Sequence, residues 1–379
     1  MSCADLSTAF PPLAACFARW RRFSRASASS AAATSFCERS PAWGADVASK
    51  TPATAPVTLT NIDSSSWEHQ TDRAALGALQ QIPGFDSLLK KVVGIFGEKN
   101  IATIYQAAAV KVGPTQYPSI HESLVKVCAV LDTDVPPLYI SQTPLVNAGA
   151  VGMDNPFIVL NSSLIELMGP AEIEAVLGHE VGHIMSEHSL YRTLLFLILD
   201  FSAPSMPIVG QAILPIMLAL QEWSRKAEIS CDRAGLLATQ NLDAAMAMHA
   251  IMAGGIRGRI DELDIDAFIE QSDEYREATG LTAYYRMMAT IGRSHPFPVI
   301  RVAELRNWVD SGDYATIVGG EYRQRGDGRP VMEDVKDAGR EFSDRAAKVF
   351  EDSDRYVNDA LLNFINAAKD RFDGTSTSV

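Results

Sequence analysis

The run His179-Glu180-Val181-Gly182-His183 constrains this chain more than any other feature. Two histidines four residues apart stand one turn apart on the same face of a helix. That spacing lets two imidazoles grip one metal ion, and Glu180 beside them is placed to take a proton from a water at that ion. Ile173, Val176, Leu177, Val181 and Ile184 surround the pair, so the helix is read as largely buried rather than as a solvated face with two ordinary histidines. Pro170 opens it, with Glu172 and Glu174 near its positive end. Gly178 and Gly182 sit next to the histidines and allow another element to come close.

A catalytic zinc needs a third protein ligand and an open fourth position. The same helix does not supply the ligand. Ser186 and Ser189 stand where the longer metzincin pattern needs Gly and His, His188 is one residue off and on the wrong face, and Glu187 is too far along to reach the same ion. A ligand is therefore expected from another element. The best candidate is Glu228 in Ser224-Arg-Lys-Ala-Glu-Ile-Ser-Cys-Asp232. Asp232, one turn later on the same face, is placed to accept the N–H of a ligating histidine. Ala227, Ile229, Cys231 and Ala234 around the pair favour burial over the solvated face that a Glu-x-x-x-Asp usually marks.

Before the metal helix, helical spacing is read at Leu88–Phe96, Ile101–Lys111 and Ser119–Leu131. Pro136 and Pro137 break it. Pro137–Ile140, Asn147–Gly152 and Phe157–Leu160 read as short strands, with a turn at Asp154-Asn155-Pro156. Phe157–Leu160 is such a strand just before the metal helix, and an edge of this kind pairs with an extended peptide. Thr193–Leu220 is the most apolar stretch, interrupted by Asp200, Pro204, Pro207 and Pro215. Its longest clean piece would rise about 20 Å against roughly 30 Å of bilayer core. It is read as a buried or groove-lining helical hairpin, with a re-entrant or peripheral membrane contact as the alternative. Trp223–Ala253 and Val299–Val309 read as helices, Gly319–Gly328 as a linker, and an amphipathic helical stripe runs from Val335 to Phe372.

The 379 residues are 47% apolar and 21% charged, as in a globular protein with a substantial core. A net charge of -13 repels phosphate and argues against nucleic acid as a partner. Five scattered cysteines show neither zinc-finger spacing nor a disulfide framework and fit a reducing, intracellular compartment. Residues 1–57 are rich in Ala and Ser, with arginines at Arg19, Arg21, Arg22 and Arg25 and few acids. They read as an organelle transit peptide (plastid or mitochondrion) or as a non-native extension from a start placed too far upstream. His69, His121 and His249 have no partner pattern and are read as ordinary.

Gly178–His183, then Ser224-Arg-x-x-Glu-x-x-Cys-Asp232, then Ser294-His-Pro296 with Arg301 resemble, in that order, the HtpX-like zinc metallopeptidases, gluzincins related to the CAAX prenyl proteases. The resemblance runs from about Leu79 to Trp308 and leaves out residues 1–57 and the tail after about Gly319. It implies one zinc per chain, bound by His179, His183 and Glu228, with Glu180 as general base and Asp232 orienting a ligand. Asn147-Ala148 is similar to the family's segment before the edge strand on which substrate lies. His295 is then either a donor to the developing oxyanion or a capping residue before the next helix, and Arg301 pairs with an acid near the site. Since the chain lacks several full transmembrane helices, the resemblance is closest to soluble or peripherally attached members.

The expected fold is α+β and mostly helical, with a small sheet beside the metal helix and a C-terminal helical tail. The expected domains are a targeting segment or disordered extension at 1–57, a zinc metallopeptidase domain at 58–318, and a linker with tail at 319–379. The expected function is hydrolysis of protein or peptide substrates. The alternative is a zinc-stabilised chaperone-like or partner-binding protein.

Overall fold

The apolar residues that follow Pro136-Pro137 pair into one small mixed sheet. The computed structural model describes residues 55–80, 85, 89, 98–202, 207–256, 259–277 and 296–327. Within them β1 is Val110–Lys111, β2 Leu138–Ser141, β3 Ala148–Val151 and β4 Phe157–Asn161. The order across the sheet is β1-β2-β4-β3, with β2 and β4 parallel and the other two pairs antiparallel. β3 and β4 are buried along their whole length, so both faces are covered, which is why they read as continuous apolar runs. The sequence reading extends a helix to Lys111; instead the chain leaves helix after Ala108, and Val110 and Lys111 pair with Ile140 and Tyr139.

The helices are α1 (Gln70–Gln80), α2 (Glu98–Ala108), α3 (Pro118–Val130), α4 (Ser162–Leu167), α5 (Pro170–Met185) and α6 (His188–Ser202). They continue with α7 (Pro207–Thr239), α8 (Leu242–Gly254), α9 (Ile265–Glu277), α10 (Pro298–Asp310) and α11 (Asp313–Val318). The fold is thus α+β and mostly helical. α5 carries the histidine pair and packs on α7, α3, α8 and β3, so it lies at the centre of the core. Pro118, Pro170 and Pro298 each occupy a first helical turn, where their missing N–H costs nothing.

Three further expectations change. Phe157–Leu160, read as an edge that could pair with a peptide, is β4 and is paired on both sides, by β2 and β3, so the edge beside it is β3. Pro215, read as an interruption, lies inside α7, which carries it at the loss of one backbone hydrogen bond. The single helix read at Trp223–Ala253 is two: Gln240 adopts φ 48°, and the side chain of Asn241 accepts from Ala244 N (3.1 Å) to start α8.

Leu59, Ile62 and Trp67 are fully buried before α1. Burial of each is worth roughly 1.5–3 kcal/mol. α1 itself packs on α7. Residues 321–327, within the segment read as a linker, hydrogen-bond to this stretch. Asp63 N donates to Arg323 O (2.9 Å), Arg325 N donates to Asn61 O (2.9 Å), and Ile62 bridges Gln324. Among the described residues no helix is long and apolar enough to cross a membrane. Residues 1–54, most of Leu88–Phe96, Gly328, and the stripe from Val335 to Phe372 lie outside the described residues, as do the side chains of 198–218.

Candidate metal centre

Small residues set the distance between α5 and α7. A Cβ added at Gly178 would lie 2.6 Å from Ala238 Cβ, and one at Gly182 would lie 2.5 Å from Ala234 Cβ. Nothing larger than hydrogen fits at either place, so the backbones meet almost directly. This close approach carries Glu228, on α7, against the histidines of α5.

The three donors converge. His179 Nε2 and His183 Nε2 are 3.1 Å apart, His179 Nε2 is 3.4 Å from Glu228 Oε2, and His183 Nε2 is 3.3 Å from Glu228 Oε1. Ligands about 2.0–2.2 Å from a tetrahedral zinc stand roughly 3.3 Å from one another, so the donor set has the spacing and chemistry a zinc ion requires. All three residues are buried. Arg192, on α6, contacts His183 Nε2 and has Nη1 3.2 Å from Glu228 Oε1. Its guanidinium must turn aside for a cation to enter.

Each group is oriented by a neighbour. His179 Nδ1 faces Asp232 Oδ1 at 3.0 Å. Arg301, on α10, grips Asp232 with Nε (2.8 Å to Oδ2) and Nη2, and its Nη1 lies 3.2 Å from Glu228 Oε2. His249, on α8, places Nε2 3.3 Å from Asp232 Oδ1. Burial alone would raise the Asp232 carboxyl, but Arg301 and then His249 outweigh it and hold it well below the usual carboxylate range. Burial would likewise lower His179, yet hydrogen bonds to Asp232 and Glu228 raise it to about 9. Burial, and then the charge of Arg192, push His183 well below its ordinary value. The two imidazoles are thus driven in opposite directions, His179 toward its charged form and His183 toward its neutral one. Burial pushes Glu180 up, and its Oε2 accepts from Ala150 N at 2.7 Å.

That last contact ties the site to the sheet edge. Asn161 N donates to Asn147 O, so the odd-numbered residues of β3 bond to β4, and the even-numbered ones turn their N–H and C=O outward. Ala150 N–H is used by Glu180, and Gly152 N donates to Thr193 Oγ1 on α6 (3.1 Å). Asn147 and Ala148 line a small cavity with His179, Glu180 and Glu228.

The structure thus brings together Glu180, His179, His183, Glu228, Asp232, Asn147 and Ala148. His295 lies outside the described residues. Sequence reasoning missed two contributors: Arg192 gave no signal, and His249 was read as ordinary. His188, set aside as a ligand, is not one of the three donors but lies against His183, and Asp72 of α1, more than a hundred residues from the motif, lies against His188. A histidine five residues past His183 was a usable hint for His188 only.

A buried His/His/Glu donor set with an adjacent carboxylate defines the class, and comparison supplies the family. Residues 114–309, just over half of the chain, match the model of peptidase family M48. The chain belongs to that family and is a metallopeptidase, a protease that acts on protein substrates. It is 34% identical over 271 residues to the plastoglobule-localized metallopeptidase 48, chloroplastic, of Arabidopsis thaliana, covering 70% of this chain and 78% of that one. It is 24% identical over 236 residues to the protease HtpX homolog 2 of Methanosarcina mazei, covering 53% and 76%. No solved structure matches it.

Proposed function

We propose that the chain is a zinc-dependent endopeptidase in which one zinc is held by His179, His183 and Glu228 and Glu180 is the general base. The observation that carries this reading is the meeting of the three donors at 3.1–3.4 Å. Zinc held there would polarise the scissile carbonyl and lower the pKa of a water toward neutrality. Glu180 takes the proton of the attacking water and passes it to the leaving amine. Its raised pKa suits a group that must accept and then release a proton. The Ala150 N–H fixes the carboxylate in place, and Asp232, held by Arg301 and His249, fixes the His179 ring. The substrate backbone lies extended along the outward N–H and C=O of Ala148, beside Asn147, since Glu180 takes the Ala150 N–H and α6 closes the edge at Gly152. Metal analysis of the purified chain tests the ligand set: about one zinc per chain is expected, and its loss in Glu228→Ala. Unchanged zinc in that variant would mean that the third ligand lies elsewhere.

The name of the Arabidopsis relative supports reading residues 1–57 as a plastid transit peptide ahead of a catalytic domain. A fusion of 1–57 to a fluorescent protein should enter plastids; a cytosolic fusion would sink this reading. Contact of the 193–220 run with a lipid surface is the second part of this reading, resting on the apolar composition of the run. Flotation with lipid vesicles should carry the chain upward, and a chain left at the bottom would contradict it.

A further inference from the structure

His179 turns its second ring nitrogen onto a carboxylate directly, whereas His183 meets another histidine. His183 Nδ1 lies 3.2 Å from His188 Nδ1. Glu187, at φ 58°, turns the chain sharply between α5 and α6 and brings His188 back against His183. His188 Nε2 lies 3.2 Å from Asp72 Oδ2, and both side chains are almost wholly buried. The same carboxylate oxygen accepts from Ser230 Oγ (2.6 Å), and Trp223 meets the His188 ring edge-on at 5.4 Å. α1, α6 and α7 therefore converge behind His183, on the side away from the three donors.

Proton counting gives this chain of contacts a direction. An ionised carboxylate only accepts, so His188 Nε2 bears the hydrogen that faces Asp72. A ring with that one hydrogen accepts at Nδ1, where it meets His183 Nδ1 at 3.2 Å, with Cys231 Sγ further off at 3.5 Å. His183 then bears its own hydrogen on Nδ1, which leaves its Nε2 lone pair directed at His179 and Glu228. The tautomer of His183 able to bind a metal is the one that Asp72 and His188 select.

We propose that His188 and Asp72 are positioning residues for His183, matching what Asp232 does for His179. The inference rests on the zinc reading above. A different use of the same groups is a second metal ion on His183 Nδ1, His188 Nδ1 and Cys231 Sγ, which lie within 4.8 Å of one another. With a metal on Nε2, that second ion would take the one ring proton left on His183 and leave an imidazolate. The relay needs no such loss and pairs each nitrogen with a partner.

The test uses the full chain with His188→Ala, His188→Gln, Asp72→Asn, Glu228→Ala and Cys231→Ala. Zinc affinity is measured by chelator competition, zinc content by metal analysis, and the His183 ring by nitrogen NMR of the metal-free protein. His188→Ala and Asp72→Asn should each lose about 10–100-fold in zinc affinity. His188→Gln should recover most of that loss, because its amide can accept from His183 and donate to Asp72 while keeping the buried volume. A purely structural role would not produce that rescue. The His183 ring should carry its proton on Nδ1 in the wild type and lose that preference in His188→Ala. Unchanged affinity in both His188→Ala and Asp72→Asn, with Glu228→Ala still losing zinc, overturns this inference and leaves the ligand set standing. Two zinc ions per chain, one lost in Cys231→Ala, overturn it in favour of the second metal. A wild type that binds no zinc overturns the ligand set and this inference together.

Discussion

Gly182→Ala separates the geometry of the helix pair from the identity of the ligands. The added Cβ would sit 2.5 Å from Ala234 Cβ and 3.6 Å from Cys231 Cα. Carbon atoms in good contact stand about 3.5–4.0 Å apart, so α5 and α7 must part locally by about 1 Å. Glu228 is less than two turns from Ala234 on α7. Its separations from the histidine nitrogens, now 3.3 and 3.4 Å, would widen toward about 4 Å, past the roughly 3.3 Å that a tetrahedral zinc spans. Alanine is the better helix former by roughly 1 kcal/mol, but overpacking costs about 1–3 kcal/mol. The net expectation is a loss of up to about 2 kcal/mol in metal-free stability and at least about tenfold in zinc affinity. Gly77 in α1 is the control, because a Cβ there meets nothing within 4 Å. Gly77→Ala should gain up to about 1 kcal/mol and leave zinc affinity alone. Urea unfolding and chelator competition read both quantities. A Gly182→Ala chain as stabilised as Gly77→Ala, with wild-type zinc affinity, would refute the claim that close helix approach builds the site.

Arg301→Ala should cost about 3–5 kcal/mol in urea unfolding, because it strips the buried Asp232 of its main partner; a cost under about 1 kcal/mol would contradict that pairing. His179 titrates near 9 in the metal-free chain, above its ordinary 6.5. Its stabilisation of the metal-free fold should therefore be complete below about pH 6.5 and fade as pH rises through about 9. Zinc must displace the same proton, so its affinity should rise about tenfold per pH unit from about pH 7 to 9 and then level off, and a flat profile would contradict the assignment. Asp232→Asn keeps the shape but removes the charge; it should bring the His179 pKa down and lower zinc affinity about 10–100-fold, as read by histidine NMR and chelator competition.

The metal helix was legible because its pattern is local. The four-residue spacing of His179 and His183, the flanking glycines and the leading Pro170 all follow from helix geometry. Glu228 and Asp232 were legible for the same reason, sharing a face of α7 one turn apart. Three strands were readable from their apolar runs, but their order was not, because β2 pairs with β4 across the intervening β3. Local period carried no trace of Asp72 reaching His188, of Arg192 entering the donor cluster, or of His249 reaching Asp232. Those contacts arise only when α1, α6 and α8 pack around α5 and α7. The break at Gln240-Asn241 was hidden by the continuous apolar stripe on either side, and only a left-handed residue followed by a capping Asn marks it.

The central claim is that Glu180 moves the proton in a zinc-dependent hydrolysis. Its most direct test is cleavage of an unfolded protein by the full chain, wild type against Glu180→Gln, each with measured zinc content. Equal zinc in both, with cleavage by the wild type alone and abolished by a chelator, is the predicted result. Cleavage by zinc-loaded Glu180→Gln at the wild-type rate would contradict it.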